Sequence, residues 1–457
     1  MTTTPDYHYA IIPHPTNASV LVLAEGAYWT LPRYAVTGTN DLHRAIQEQF
    51  GLDVTILNDN SCFRNNWDQQ QHFVYAVDNH SFHWSPPENA CWIGRVDLAD
   101  IALSVPEHRA VLETWFDEIE YDNIPTRRVL WARLGWFDRA VAWITQHVTQ
   151  AGYALVAPIE QVHVRVWSTV LRVPTSGGML YFKASGPSYT YEPALTQYLS
   201  IHWSHDMPHV LAVDTQQTWM LMKDAGRPLR DLLLAGDTRS NSIYLEQAYA
   251  RYAQFQIETA AYTDTLLMLG CSDRRLHMLP TLFEQVVADT SILLPGQKEG
   301  ISEADLHSLQ AFTPQVREMC DELASYKLPE TLHHDDFHTN NILVNEQGYV
   351  FFDWGDSAIT HPFCSLYTAL RSAKYRLHYD ERTLLRLRDI YLEAWTSFAP
   401  KEQLLAAFHI AQRLGMLSRT LTWYEVISPL EDKMRWAYEN AVPYWLRTFL
   451  MNTDPDA

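Results

Sequence analysis

Apolar positions along this chain follow two periods, alternation in its first half and helical spacing beyond Pro228. Residues 7–120 carry β-like runs at Tyr7–Pro13, Ser19–Ala24, Val54–Asn58, Gln71–Val77 and Cys91–Val96. One helical pattern lies among them, Asp41–Phe50, with Asp41 the expected N-cap and Gly51 the expected residue past its end. Val105–Ile119 again has helical spacing, so residues 1–120 read as a small α+β domain. Pro125–Ala151 follows, with apolar residues at Val129, Leu130, Leu134, Phe137, Val141 and Ile144. Pro125 suits a first turn and Gly152 a terminus, so residues 121–155 are expected to form a helical connector.

From Gln161 the alternation returns. Residues 162–167 (VHVRVW) and 170–175 (VLRVPT) read as a hairpin turning at Ser168 and Thr169, and Met179–Ser185 as a third strand after Gly177–Gly178. A helix is expected from Glu192–Pro193 through Leu199, then a strand at Thr218–Gly226. The remainder is helical except for two short strands, Asn341–Val344 and Tyr349–Phe352, and a polar loop around Gln297–Glu303. The predicted class is α+β with several domains. A small β-rich lobe at 156–226 precedes a large helical lobe at 227–457.

A length of 457 residues exceeds one core, which agrees with this division. Sixteen Trp and 24 Tyr supply large apolar surfaces for those cores. A formal net charge of −20 argues against a nucleic-acid partner, which needs a basic face. Cys62, Cys91, Cys271, Cys320 and Cys364 are scattered singly, so neither a zinc site nor a disulfide framework is expected. The N-terminal residues lack the basic and apolar regions of a signal peptide, and no apolar run is long enough to span a membrane. No membrane partner and a cytoplasmic location are therefore expected; the oligomeric state is not legible.

The chemistry concentrates in residues 332–357, LHHDDFHTNNILVNEQGYVFFDWGDS. Phosphoryl transfer needs a carboxylate beside the acceptor hydroxyl and hard oxygen ligands for Mg²⁺. Asp336 and Asn341 have the D-x-x-x-x-N spacing of a catalytic loop. Asp353 follows Asn341 by 12 residues, after an apolar strand and before Trp354–Gly355. A hairpin turning at Asn345–Gly348 would bring Asn341 and Asp353 to one edge. The joint pattern is far more specific than any of its parts.

This segment resembles the aminoglycoside phosphotransferase/choline kinase superfamily, of protein-kinase-like fold. The resemblance rests on His334, Asp335, Asp336, His338, Asn341 and Ile342, then Phe352, Asp353 and Trp354. It implies a bilobal catalytic domain that moves the γ-phosphoryl group of ATP (or GTP), with Mg²⁺, to a hydroxyl of a small molecule such as an amino sugar or amino alcohol. It implies Asp336 as base, Asn341 and Asp353 as metal ligands, and Lys183 as the nucleotide-binding lysine paired with Glu192. Ser168 would lie in the phosphate-covering turn, and Met222 in the adenine-holding segment 220–223. His334 and His338 are expected to be structural, and Asp356 to brace the metal ligands. Asp335 stands where the family usually has glycine, and the phosphate-covering turn lacks glycines. The alternative is a nucleotide-binding pseudokinase acting as a regulatory module.

Residues 29–52 resemble a degenerate Nudix box, carried by Arg44, Ile46, Glu48, Gly51 and Leu52. Ala45 and Gln49 replace metal-binding glutamates, so binding, regulation or assembly is expected of this domain rather than hydrolysis. A Nudix-type hydrolase with a kinase-like appendage would need those carboxylates. Trp423, Tyr424, Glu425, Glu431, Asp432 and Trp436 form an aromatic and acidic set suited either to a cationic acceptor or to a solvated helix face.

Overall fold

Residues 7–36, 39–64, 71–235 and 238–452 are described by a computed structural model. Their contacts sort the chain into two units: residues 1–187 with 430–436, and residues 188–429 with 437–457. The first opens with β1 (Tyr7–Ile11), β2 (Ser19–Glu25), β3 (Tyr28–Thr30), β4 (Arg33–Tyr34), β5 (Val54–Arg64), β6 (Gln71–Asn79) and β7 (Ala90–Gly94). They form two sheets, ordered β4-β1-β6-β5 and β3-β2-β7. β1 and β6 run parallel, with Tyr9 opposite Val74. Parallel strands buried on both faces read as continuous apolar runs, which is why Tyr9–Ile11 and Val74–Val77 are buried without a break.

The helix Thr39–Phe50 buries Leu42 and Ile46, exposes Arg44 and Glu48, and ends where Gly51 N–H donates to Gln47 O at 2.8 Å. Asp41 lies in its first turn, not at its cap. The helix expected from Pro125 starts instead at Trp136 and runs to Gln150, after a single 3₁₀ turn at Leu130–Ala132. The reason is Arg128, whose side chain is only 2% exposed. Its Nη2 meets Glu118 Oε1 at 2.8 Å and its Nε meets Glu431 Oε1 at 2.7 Å. Lys433 Nζ reaches Glu118 Oε1 at 3.3 Å. A helix through Arg128 would compete with this arrangement.

β8 (Glu160–Val164), β9 (Ser168–Thr175) and β10 (Gly178–Ser185) form an antiparallel meander. The hairpin turns at Arg165–Trp167, ahead of the expected Ser168–Thr169, and Ser168 is a strand residue opposite Ser185. Buried Gln161 ties this meander to the front sheet: its Oε1 accepts from Ile56 N at 2.8 Å, and its Nε2 donates to Ile56 O at 3.1 Å. One side-chain amide thus replaces a strand partner for a backbone that would otherwise be buried unpaired.

The second unit begins with the helix Glu192–His202 and the hairpin β11 (Val210–Asp214) and β12 (Trp219–Lys223). β13 (Arg227–Pro228) pairs with β16 (Ile342–Asn345), itself a hairpin with β17 (Gly348–Phe351). Gly226 is required at this junction, because with φ of +126° a Cβ there would stand 2.4 Å from Val344 O. A second small sheet has the order β14 (Ser272–Asp273), β18 (Ser357–Thr360) and β15 (Thr331–His334). Around these strands pack the helices Thr238–Thr259, Ser365–Arg376, Glu381–Glu393 and Lys401–Ile427. The mixed α+β class holds. Cys91, Cys271, Cys320 and Cys364 are free thiols. Among the described residues no helix is long and apolar enough to cross a membrane.

Arg128→Ala should destabilise the first unit by about 3 kcal/mol or more, because it leaves Glu118 and Glu431 buried with one cation fewer. Thermal unfolding of the variant beside the parent protein checks this; an unchanged midpoint would rule it out.

Candidate active site

The site is framed by the antiparallel pair β15–β18, in which His334 stands opposite Ser357. One residue further, Asp335 N–H donates to Asp356 O at 3.1 Å. The pairing therefore delivers Asp335, Asp336 and Asp356 to the same end of the sheet. Between them the chain makes a loop and the β16–β17 hairpin, closed by Phe352 N–H donating to Asn341 O at 3.2 Å. Asn341 and Asp353 thus start and finish one hairpin, as their spacing predicts.

The loop is anchored on a fully buried aromatic cluster. Phe337 stacks on Tyr252 with ring centroids 3.8 Å apart, and Phe255 faces Trp354 at 5.6 Å. Tyr252 also accepts from His334 N–H at 3.0 Å. His334 Nε2 lies 3.0 Å from Phe352 O, and burial holds its pKa below the usual histidine range. His334 is a neutral spacer between loop and hairpin.

Asp336 is held on both oxygens. Its Oδ2 accepts from His338 Nε2 at 3.2 Å and Asn341 Nδ2 at 3.3 Å, and its Oδ1 meets Arg419 Nη2 at 3.1 Å. Burial pushes its pKa up, but the Arg419 guanidinium and His338 outweigh this and hold it well below the usual carboxylate range. Asp356 Oδ2 meets Arg419 Nη1 at 2.9 Å and its other oxygen accepts from the Tyr189 hydroxyl. Here burial wins against Arg419, helped by the like charge of Asp336, and the pKa is pushed up to about 6.

Asp335 does not have a positive φ. It is 1% exposed, with His333 Nε2 at 2.8 Å and the Thr422 hydroxyl donating at 2.6 Å. Arg419 Nη1 and Arg274 Nη1 stand 3.6 and 3.9 Å from its Oδ2. Its burial raises the pKa, and His333 with the two guanidiniums lowers it further than that, so the group stays ionised. The extra charge has dedicated partners.

Asn341 Nδ2 also donates to Asp336 O at 3.0 Å, and no described residue donates a hydrogen bond to its Oδ1. Asp353 is exposed and left-handed, at φ 66° and ψ 58°, between buried Phe351 and Trp354. Asp is one of the few side chains that tolerates this conformation, which costs about 1–3 kcal/mol and concentrates at functional sites. One amide oxygen and one carboxylate suit Mg²⁺, which keeps several waters and takes other ligands from nucleotide phosphates. No cluster of three or more His, Cys, Asp or Glu residues assembles for a metal among the described residues.

Upstream, Glu192 is fully buried at the head of its helix; a methyl on Gly355 would stand 3.3 Å from its Oε2. Met222 is buried on β12. Lys183 on β10 and Ser168 on β9, both buried, belong to the first unit. The aromatic and acidic set is divided between the two units. Glu425 Oε2 is taken by Arg274 at 2.9 Å and Ser272 at 3.1 Å, while Glu431 belongs to the first unit with Arg128.

The description "Phosphotransferase enzyme family" belongs to the family model that matches residues 235–403, a span containing Asp336, Asn341 and Asp353. That match covers less than half of the chain. No curated protein matches it. Among solved structures, a choline kinase from Cryptosporidium parvum is similar at 12% identity and TM-score 0.49, over 69% of this chain and 94% of that one. A choline/ethanolamine kinase family protein from Mesorhizobium loti is similar at 16% identity and TM-score 0.44, over 69% and 99%. An aminoglycoside phosphotransferase from Streptomyces rimosus is similar at 17% identity and TM-score 0.37, over 60% and 97%. Arg419 lies outside the matched residues, and no motif marks it. Its only sequence signal is a lone charge in the otherwise uncharged stretch Gly415–Trp423, where a buried cation demands partners.

Within the matched residues, His361 is buried and its pKa is held down to about 3 by burial, against ~6.5 in an unfolded chain. The unfolded state then binds more protons between those values, so stability is full above about pH 6.5 and is lost as pH falls toward 3. His361→Gln should flatten part of that decline, measured as urea midpoints across a pH series; an unchanged slope would count against it.

Proposed function

We propose that this protein is a small-molecule kinase moving the γ-phosphoryl group of ATP or GTP to an acceptor hydroxyl, the acceptor belonging to the amino-sugar or amino-alcohol class. The observation that carries the reading is the Asp336 carboxylate, held by three donors of which one is Asn341, with the exposed Asp353 at the other end of the hairpin that Asn341 begins. Bound with Mg²⁺, the nucleotide supplies the phosphoryl group and the metal its charge neutralisation.

An ionised carboxylate has about four lone-pair sites. In Asp336, His338 and Asn341 occupy those of Oδ2, and Arg419 occupies one on Oδ1. The remaining site on Oδ1 is where the acceptor hydroxyl donates and where its proton arrives. A carboxylate held this strongly ionised orients the hydroxyl in the ground state and takes the proton late, which suits a loose transition state. Asn341 Oδ1 and the Asp353 carboxylate would hold Mg²⁺. Lys183, paired with Glu192, would set the nucleotide phosphates; Ser168 would lie near them and Met222 beside the base. Residues 156–226 would form the nucleotide lobe and 227–457 the acceptor lobe. The front domain would serve binding or regulation.

The test is Mg-ATP consumption against aminoglycosides, amino alcohols, sugars and nucleosides, with Asp336→Ala as control. Turnover with one acceptor class is expected, falling ~10²–10⁴-fold in the variant. Nucleotide binding without transfer to any acceptor would favour the regulatory reading, and no nucleotide binding would refute both. Asp353→Ala should weaken Mg²⁺-dependent nucleotide affinity by more than roughly tenfold, read by calorimetry with and without chelator; equal affinities would remove Asp353 from the metal site.

A further inference from the structure

Arg419 projects from the helix Lys401–Ile427, outside the matched segment and outside the loop that carries Asp336. Its guanidinium is 13% exposed and faces three carboxylates at once: Asp356 Oδ2 at 2.9 Å, Asp336 Oδ1 at 3.1 Å and Asp335 Oδ2 at 3.6 Å. The ring of Trp423, one helical turn on, lies 5.8 Å from its Cζ. The two nearest carboxylates are met by different nitrogens, Nη1 for Asp356 and Nη2 for Asp336. A planar fork therefore spans them and fixes their separation, which a point charge would not do. Asp335 shares Nη1 with Asp356 at the longer distance and is itself held by His333, Thr422 and Arg274.

We infer that Arg419 is a positioning residue for phosphoryl transfer: by occupying one lone pair of Asp336 Oδ1 it decides which lone pair meets the acceptor hydroxyl, and Asp335 keeps Arg419 in place. The inference rests on the kinase reading above and assigns a role to Asp335, the residue that departs from the family pattern. Restoring the family's glycine there would remove an anchor of Arg419 and leave Arg274 short of a counter-charge. Asp335→Gly is thus expected to impair transfer, although family resemblance alone would make it neutral or helpful.

The experiment compares Arg419→Lys, Arg419→Met and Asp335→Gly with the parent protein. Turnover is measured with the acceptor found by the survey above, or with water if none is found, alongside Mg-ATP affinity by calorimetry. A lysine at this position keeps the charge but loses the fork. Arg419→Lys should therefore keep nucleotide affinity within about threefold yet lower kcat ~10²-fold. Arg419→Met removes charge and fork together and serves as the lower bound if it folds. Unchanged kcat in Arg419→Lys overturns the proposal. So does a parallel fall of kcat, nucleotide affinity and melting temperature, which marks a role in the fold alone. If the parent protein turns over no nucleotide, the kinase reading fails instead. The crystal structure of Arg419→Lys then decides the positioning claim: Asp336 Oδ1 should leave its present position, and an unmoved carboxylate refutes it.

Discussion

Carboxylates can be buried side by side only where cations are fixed among them, and this constraint organises the second unit. The β15–β18 pair brings Asp335, Asp336 and Asp356 to one end of a sheet. Arg419 and Arg274 are the cations that make the arrangement tolerable. Because Arg419 comes from the Lys401–Ile427 helix, that helix must lie against the loop carrying Asp336. Arg274, anchored by Ser418 O at 3.0 Å and by Glu425, draws the β14 segment to the same helix. Charge balance at one point thus sets the place of three segments far apart in sequence.

Apolar packing supplies what charge balance does not. Phe337, Tyr252, Phe255, Phe351 and Trp354 form a fully buried cluster directly beneath the loop. Two of these rings adjoin the site's carboxylates in sequence, since Phe337 follows Asp336 and Trp354 follows Asp353. Rigid aromatic anchors next to strained or charged positions let the core hold a conformation such as the left-handed backbone of Asp353.

The candidate site is legible in the sequence because it is local. Asp336, Asn341 and Asp353 belong to one loop and one hairpin, and local spacing translates directly into geometry. The partners Arg419, Arg274, Tyr189 and Thr422 are not legible, since they arrive through tertiary packing that leaves no period in the sequence. Among the structural expectations that fail, two do so for related reasons. Apolar alternation continues through Arg165–Trp167, so the hairpin turns earlier than the pattern suggests. Helical spacing continues back to Val129, but Arg128 is drawn into a buried ion cluster and the helix begins at Trp136. The front helix shows the limit in another way. Its burial of Leu42 and Ile46 follows from pattern, whereas the chemistry of exposed Arg44 and Glu48 does not follow from any amphipathic helix.

The chain's return to its first unit has a consequence for modularity. Residues 430–436 leave the second unit and contribute Glu431 and Lys433 to the cluster around Arg128. The polypeptide therefore passes between the units three times, and no single cut yields both intact. A fragment ending at residue 187 would contain Arg128 and Glu118 but lack the strap that completes their neighbourhood. Moving the first unit into another chain would mean carrying residues 430–436 with it.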